Sequence, residues 1–133
     1  MVKYNYHANI GILDLREGMF ISNDGVKTEF TLVSEPIATD ESQEDFVVYP
    51  GTYLVGTDIP NGKYSISVTS GSGYFNIFKS YDKYDSSNGN MFSALESYFL
   101  DVDDTWGTAE LGNVRLSEGM YVVNNGATVV FHP

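Results

Sequence analysis

From Gly51 to Lys79, apolar and polar positions alternate with the two-residue period of strands that bury one face. Tyr53 and Val55 fall on one side of the first run, Thr52 and Leu54 on the other. In the second run Tyr64, Ile66 and Val68 alternate with Ser65, Ser67 and Thr69, and Tyr74–Lys79 resumes with aromatic and β-branched residues. Asp58-Ile59-Pro60-Asn61-Gly62 predicts a turn between the first two runs. Pro60 presets φ, Asn61 tolerates bridge or left-handed geometry, and Gly62 supplies a positive φ. Ser70-Gly71-Ser72-Gly73 predicts a second break, and Phe46–Tyr49 reads as a strand leading into the whole stretch.

Upstream, Ile10–Leu15 is apolar enough for a strand. Met19–Ser22 and Val26–Val33 read as hairpin arms about Asn23-Asp24-Gly25. Residues 1–9 are either a first strand carrying Val2, Tyr4 and Tyr6 or a loose end. The polar, acidic segment Ser34–Asp45 is expected to be a surface connection. Downstream, Ser80–Asn90 reads as a loop. Met91–Leu100 spaces Phe92, Leu95 and Phe99 as a short helix would, after an Asn90 cap. Asp101–Gly107 is a loop, and Thr108–Arg115 leads into a closing hairpin.

The N-terminal hairpin pattern occurs twice. Ile10–Thr31 aligns without gaps onto Leu111–His132 at a constant offset of 101. Gly11, Leu15, Glu17, Gly18, Met19, Asn23, Gly25 and Phe30 recur as Gly112, Leu116, Glu118, Gly119, Met120, Asn124, Gly126 and Phe131, eight identities over 22 positions. An internal duplication accounts for this. Either two related hairpins share one domain, which is the preferred account, or the first copy is the tail of an earlier repeat. With 133 residues the chain is long enough for one core, so one domain is expected over 1–133. Within it, 1–33 is the hairpin related to 111–132, 34–45 the acidic connection and 46–133 the main unit.

The run GTYLVGTDIPNGKYSISVTSGSGYFNIF resembles a repeat domain of uncharacterised, mostly Gram-positive bacterial proteins, built on G-x-Y-x-V-G-x-D-I-P-x-G-x-Y. Leu116-Ser117-Glu118-Gly119-Met120 and Phe131-His132-Pro133 fit that family's closing pattern, so the resemblance covers roughly residues 48–133. Ser80–Trp106 has no counterpart in it. Ile59, Pro60, Gly62, Gly71 and Gly73 also make the chain distantly similar to pre-peptidase C-terminal domains, which are non-catalytic jelly rolls. Together, pattern and resemblance predict an all-β fold: a two-sheet β-sandwich of jelly-roll type with one short helix and a duplicated β-hairpin. Turn counting gives roughly eight to ten short strands.

Composition narrows the partners. A net charge of −11, from 18 acidic and seven basic residues, argues against nucleic acid and against an anionic membrane surface. No run approaches transmembrane length, so no membrane insertion is expected. The absence of Cys excludes disulfides and thiolate chemistry, and no signal peptide is visible in MVKYNYHANIGIL. The resemblance implies an extracellular or cell-surface setting. A protein or glycan partner and a homo-oligomer both fit the composition.

Candidate chemistry is sparse. Asp101, Asp103 and Asp104 are the best metal ligands, since carboxylates on alternating loop residues can face one Ca²⁺, with Asp82 and Asp85 as outer ligands; a solvated loop is the plainer reading. Trp106 with Tyr81 and Tyr84, and with Tyr74 and Tyr98, could form an aromatic platform for sugars, although a lone Trp is more often a lid on a core. Glu17 and Glu118 pair through the repeat rather than as glycosidase carboxylates. His7 and His132 accompany no nucleophile-elbow serine. The expected function is thus a non-catalytic interaction module of a bacterial surface or secreted protein. The alternative is a structural or oligomerising domain of a phage or cell-envelope assembly.

Overall fold

The computed structural model describes residues 10–32 and 44–133. Residues 1–9 and 33–43, including the first-strand expectation, His7 and most of the acidic connection, lie outside the described residues. The fold is all-β with one short helix, and its strands form a single antiparallel sheet. In chain order they are β1 (Phe46–Val48), β2 (Gly51–Leu54), β3 (Gly62–Phe78), β4 (Glu96–Asp101), β5 (Glu110–Leu116) and β6 (Tyr121–His132). Six strands among the described residues replace the eight to ten expected, and this pairing does not establish the order of a jelly roll.

Part of the reduction is that residues 10–32 form no strand; the rest lies in β3 and β6. Ser70–Gly73 and Asn124–Gly126, read as strand breaks, are irregularities inside two long strands that pair with each other from Ser65↔His132 to Phe78↔Tyr121. Register shifts occur between Val68 and Ser70 and between Gly71 and Tyr74. β1 and β2 flank successive halves of β6, while β5 and β4 flank successive halves of β3. Each rail of the sheet therefore bends at the same level: at Tyr49–Pro50, at Asn125–Gly126, at the β3 bulges and at the loop from β4 to β5.

The bend is close to a complete fold. Phe75 is in register with Asn124, seven residues from Phe131 along β6, a span of about 23 Å if β6 were straight. Yet the Phe75 and Phe131 rings lie 6.1 Å apart. The two halves face each other and enclose one apolar core containing Val48, Tyr53, Ile66, Phe75, Val129 and Phe131. At the open end of this fold, Gly119 donates its amide to Val55 and Val55 donates to Met120 (3.0 and 2.9 Å), holding the turn between β5 and β6 against β2.

The G-x-Y motif has a structural explanation. Tyr53 and Tyr64 are both buried, and each hydroxyl donates to the carbonyl four residues back, Tyr49 and Pro60 respectively, at 2.6 Å. A buried phenol usually finds such a partner. Asp58 accepts the Leu54 amide through its carboxylate (2.8 Å) and donates its own amide to the Leu54 carbonyl (2.8 Å), while Ile59 is fully buried. The left-handed residue of this turn is Gly56 (φ 95°) rather than Gly62, a correction to the turn read from the sequence.

Two further expectations are overturned. Met91–Leu100 is not a helix: Met91–Ser93 forms one 3₁₀ turn, with Phe92 donating its amide to Asn90 Oδ1, and Glu96 begins β4. The C-terminal half of β3 needs an edge partner, and Ser97–Leu100 supply it. Local spacing loses to that ladder. The helix is instead α1, Tyr81–Ser86, capped by Ser80 Oγ on the Lys83 amide at 3.2 Å, within the segment expected to be a loop. Nor do Met19–Ser22 and Val26–Leu32 pair as a hairpin; Phe20 and Leu32 are 101% and 95% exposed. Their counterparts after Met120 continue without a break through Gly126 as β6.

Gly126 holds φ 122°, and a Cβ there would overlap the Ser72 carbonyl oxygen. A Cβ at Gly62 would only touch the Tyr64 ring, at 3.5 Å. Gly126→Val is expected to destabilise by about 2–4 kcal/mol, combining backbone strain and overpacking. Gly62→Val should cost less than about 1 kcal/mol, because it meets neither penalty. Urea unfolding of the two variants checks this, and equal losses would place the critical bend elsewhere.

Candidate functional site

The acidic loop after β4 is organised by Asp101. Its carboxylate accepts the backbone amides of Asp103 (3.2 Å), Thr105 (3.3 Å) and Trp106 (3.0 Å). Asp101 is only 7% exposed, though it lies at the periphery of the molecule. Hydrogen bonds, that to Trp106 foremost, therefore hold its carboxyl below the usual range, with partial desolvation opposing them. Asp104 Oδ1 turns away to accept the Ala109 amide at 3.2 Å, and Asp103 is exposed. The candidate calcium ligands do not converge: among the described residues, no three His, Cys, Asp or Glu side chains gather about a point that could hold a metal. A carboxylate saturated by backbone amides is a loop staple.

The aromatic candidates divide between two places. Trp106 projects from this loop, 86% exposed, near the line along which the sheet folds. Tyr81 and Tyr84 sit on α1, past the far end of β3. They pack with Tyr121 at centroid distances of 5.3 and 4.8 Å, and Tyr84 also meets Phe78. Tyr74 stacks edge-on with Phe99 on the β3–β4 pair. The platform of Trp106, Tyr81 and Tyr84 is thus not one surface. Burial raises the Tyr121 hydroxyl to about 12, the Thr52 hydroxyl opposing that shift.

The N-terminal segment makes a third surface. Gly11 donates to Pro50 and Thr52 to Ile12, both at 2.7 Å, so residues 11–14 line the free side of β2. Arg16 pairs with Asp14 (2.9 Å) and places its guanidinium 3.4 Å from the Tyr81 ring centre. Beyond Arg16 the chain leaves the body. Its turn copies the one before β6. Met19 and Met120 donate their amides to the carbonyls of Arg16 and Ser117 at 3.1 Å, the amides of Arg16 and Ser117 approach the methionine sulfurs at 3.3 Å, and Gly18 and Gly119 take φ 89° and 88°. After this shared turn the copies part. Tyr121, Val122, Ala127 and Phe131 are buried, whereas Phe20, Ile21, Val26 and Phe30 are exposed.

A fourth grouping was not foreseen from the sequence. On the outer face of the β1–β6–β3 half, His132 Nδ1 lies 2.8 Å from Asp45 Oδ2, and His132 Nε2 lies 2.7 Å from Ser67 Oγ. Strand register alone brings the three together. Phe46↔Phe131 sets Asp45 beside His132, and Ser65↔His132 puts Ser67 one step along the same face. No local motif marks them.

Compared with protein-family models, curated proteins and solved structures, the chain finds no match. The likeness to bacterial repeat domains and to pre-peptidase C-terminal domains therefore rests on the motif residues, and Tyr53, Asp58, Ile59, Pro60 and Tyr64 all have packing or hydrogen-bonding duties. No helix among the described residues is long and apolar enough to cross a membrane.

The lowered carboxyl of Asp101 carries a sign. Its contribution to stability is complete above the unfolded-state value of about 3.9 and is lost as pH falls through the lower folded-state value. Asp101→Asn should lower the thermal midpoint at neutral pH, with the deficit shrinking in acid. A deficit independent of pH would show that the charge does not matter.

Proposed function

We propose that the protein is an assembly module, whose folded sheet joins a second copy of the chain through the arm of residues 17–32. One observation carries this reading: the arm repeats the pattern of β6 but exposes the positions that β6 buries. Support comes from β6, which carries the same pattern and pairs within this sheet. A second copy offers the same kind of sheet, and β5 has an outer side that no described strand occupies.

Magnitudes favour strand addition over a flat apolar contact. Full burial of a Phe, Ile, Val or Leu side chain contributes about 1.5–3 kcal/mol. Fixing each backbone residue costs about 1–2 kcal/mol, so five apolar side chains do not by themselves order the arm. Ladder hydrogen bonds along a sheet edge supply the missing order and fix the register. The resemblance to bacterial repeat domains supports a surface or envelope setting for such an assembly. Its acidic composition favours solubility of the unjoined chains.

The second reading is an interaction module for a glycan or protein, favoured by the exposure of Trp106. Its indole stands clear of Tyr81 and Tyr84, so it would act as a single stacking ring. Trp106→Ala would then abolish ligand-induced thermal stabilisation.

Light scattering after size exclusion tests the assembly. The native chain should show mass rising with concentration, and the double variant Phe20→Asp, Phe30→Asp should remain monomeric with an unchanged thermal midpoint. A native chain that stays monomeric up to its solubility limit would refute the proposal. An equally associated double variant would remove the arm from it.

A further inference from the structure

We propose that Ser67 is a nucleophilic hydroxyl, activated by His132 and oriented through Asp45, that takes acyl groups from small activated esters. The reading is independent of the assembly, because the three residues lie on the outer face of β1, β6 and β3 and involve no residue of the arm.

The order of atoms is that of a hydroxyl with a general base. Asp45 Oδ2 at 2.8 Å from Nδ1 favours the tautomer that carries its proton there, leaving Nε2 free to accept from Ser67 Oγ at 2.7 Å. His132 and Ser67 stand on adjacent paired strands, which fixes both backbones, and Asp45 immediately precedes β1. With p-nitrophenyl acetate, Oγ bonds to the acetyl carbon, the bond from that carbon to the aryl oxygen breaks, and p-nitrophenolate leaves. The hydroxyl proton passes to Nε2 and then to solvent. The product is acetyl-Ser67, which water hydrolyses to acetate and free serine.

The same sheet limits the chemistry. Val68 donates its amide to Ala109 at 2.8 Å, and by the alternation of an antiparallel ladder the Ser67 amide faces Val130. Neither is available to stabilise an oxyanion, a device worth roughly 10²–10³ in rate per donor. The inferred substrates are therefore esters whose leaving group is already good, and acylation should outrun hydrolysis of the acyl-serine.

The test exposes the whole chain to p-nitrophenyl acetate, follows the first-turnover burst and locates the acetyl group by peptide mass spectrometry. Ser67 should be labelled ahead of every other serine, and Ser67→Ala should abolish the burst. A general base contributes typically 10²–10⁴-fold, so His132→Gln should slow labelling by about 10²-fold or more. Asp45 is a positioning residue: Asp45→Asn should slow labelling less, and Asp45→Glu should recover part of the loss. Thermal midpoints of all variants show whether the fold is kept. Acetylation scattered over many serines, or undiminished in a folded His132→Gln, would overturn the proposal and leave the three side chains as a clasp that fastens Asp45 to β6.

Discussion

The structure depends on backbone meeting backbone where the sheet folds. A Cβ at Gly73 would collide with the Asn125 carbonyl, and one at Gly126 with the Ser72 carbonyl. The two longest strands thus cross the fold line with main chain packed against main chain at these glycines, and with an extra residue or two on β3 to take up the curvature. Everything inside follows. With the bend, Phe75 reaches Phe131, and the two halves of one sheet close on a shared apolar core. Without it, each half would present an apolar face to water.

Asn124 ties this corner to its neighbour. Its Nδ2 donates to the Ala127 carbonyl at 2.8 Å and to the Tyr49 carbonyl at 3.2 Å, and that second carbonyl also accepts the Tyr53 hydroxyl. One buried amide thereby couples the bend in β6 to the corner between β1 and β2. Among the described residues, the Asn at the matching place in the arm, Asn23, finds only local partners: its Oδ1 takes the Val26 amide at 3.4 Å and its Nδ2 donates to Thr28 at 3.1 Å. The same residue type makes a turn when exposed and a cross-strand tie when buried. The difference comes from what surrounds it, since the sequence around both is alike.

That contrast explains what could be read in advance. The alternation of Tyr53 and Val55, and of Tyr64, Ile66 and Val68, was legible because it records which side faces the core. The all-β class followed from it. Gly-rich runs were misread because glycine at a turn and glycine at a bulge have one signature, and only the partner strand distinguishes them. The helix over 91–100 failed for a related reason: Phe92, Leu95 and Phe99 have helical spacing, but the open edge of β3 recruits Glu96–Asp101. Among site residues, Trp106 reads from the sequence more readily as a lid on the core, and its 86% exposure departs from that. The convergence of Asp45, Ser67 and His132 could not be read in advance, being a product of register between strands far apart in sequence.

It follows that the residues of the recognisable motif are committed to the fold. Tyr53, Asp58, Ile59, Pro60 and Tyr64 are spent on two buried hydroxyl bonds, one capped turn and one core contact. Any chain that folds this way needs groups of that kind there, whatever it binds, so the motif reports architecture. Two places lie where the fold makes no such demand: among the described residues, the arm after Arg16 exposes its apolar side chains, and the outer face of the sheet carries polar ones. Among the described residues the arm keeps strand chemistry without a strand's partners, and that unmet pairing is what supports the proposed association.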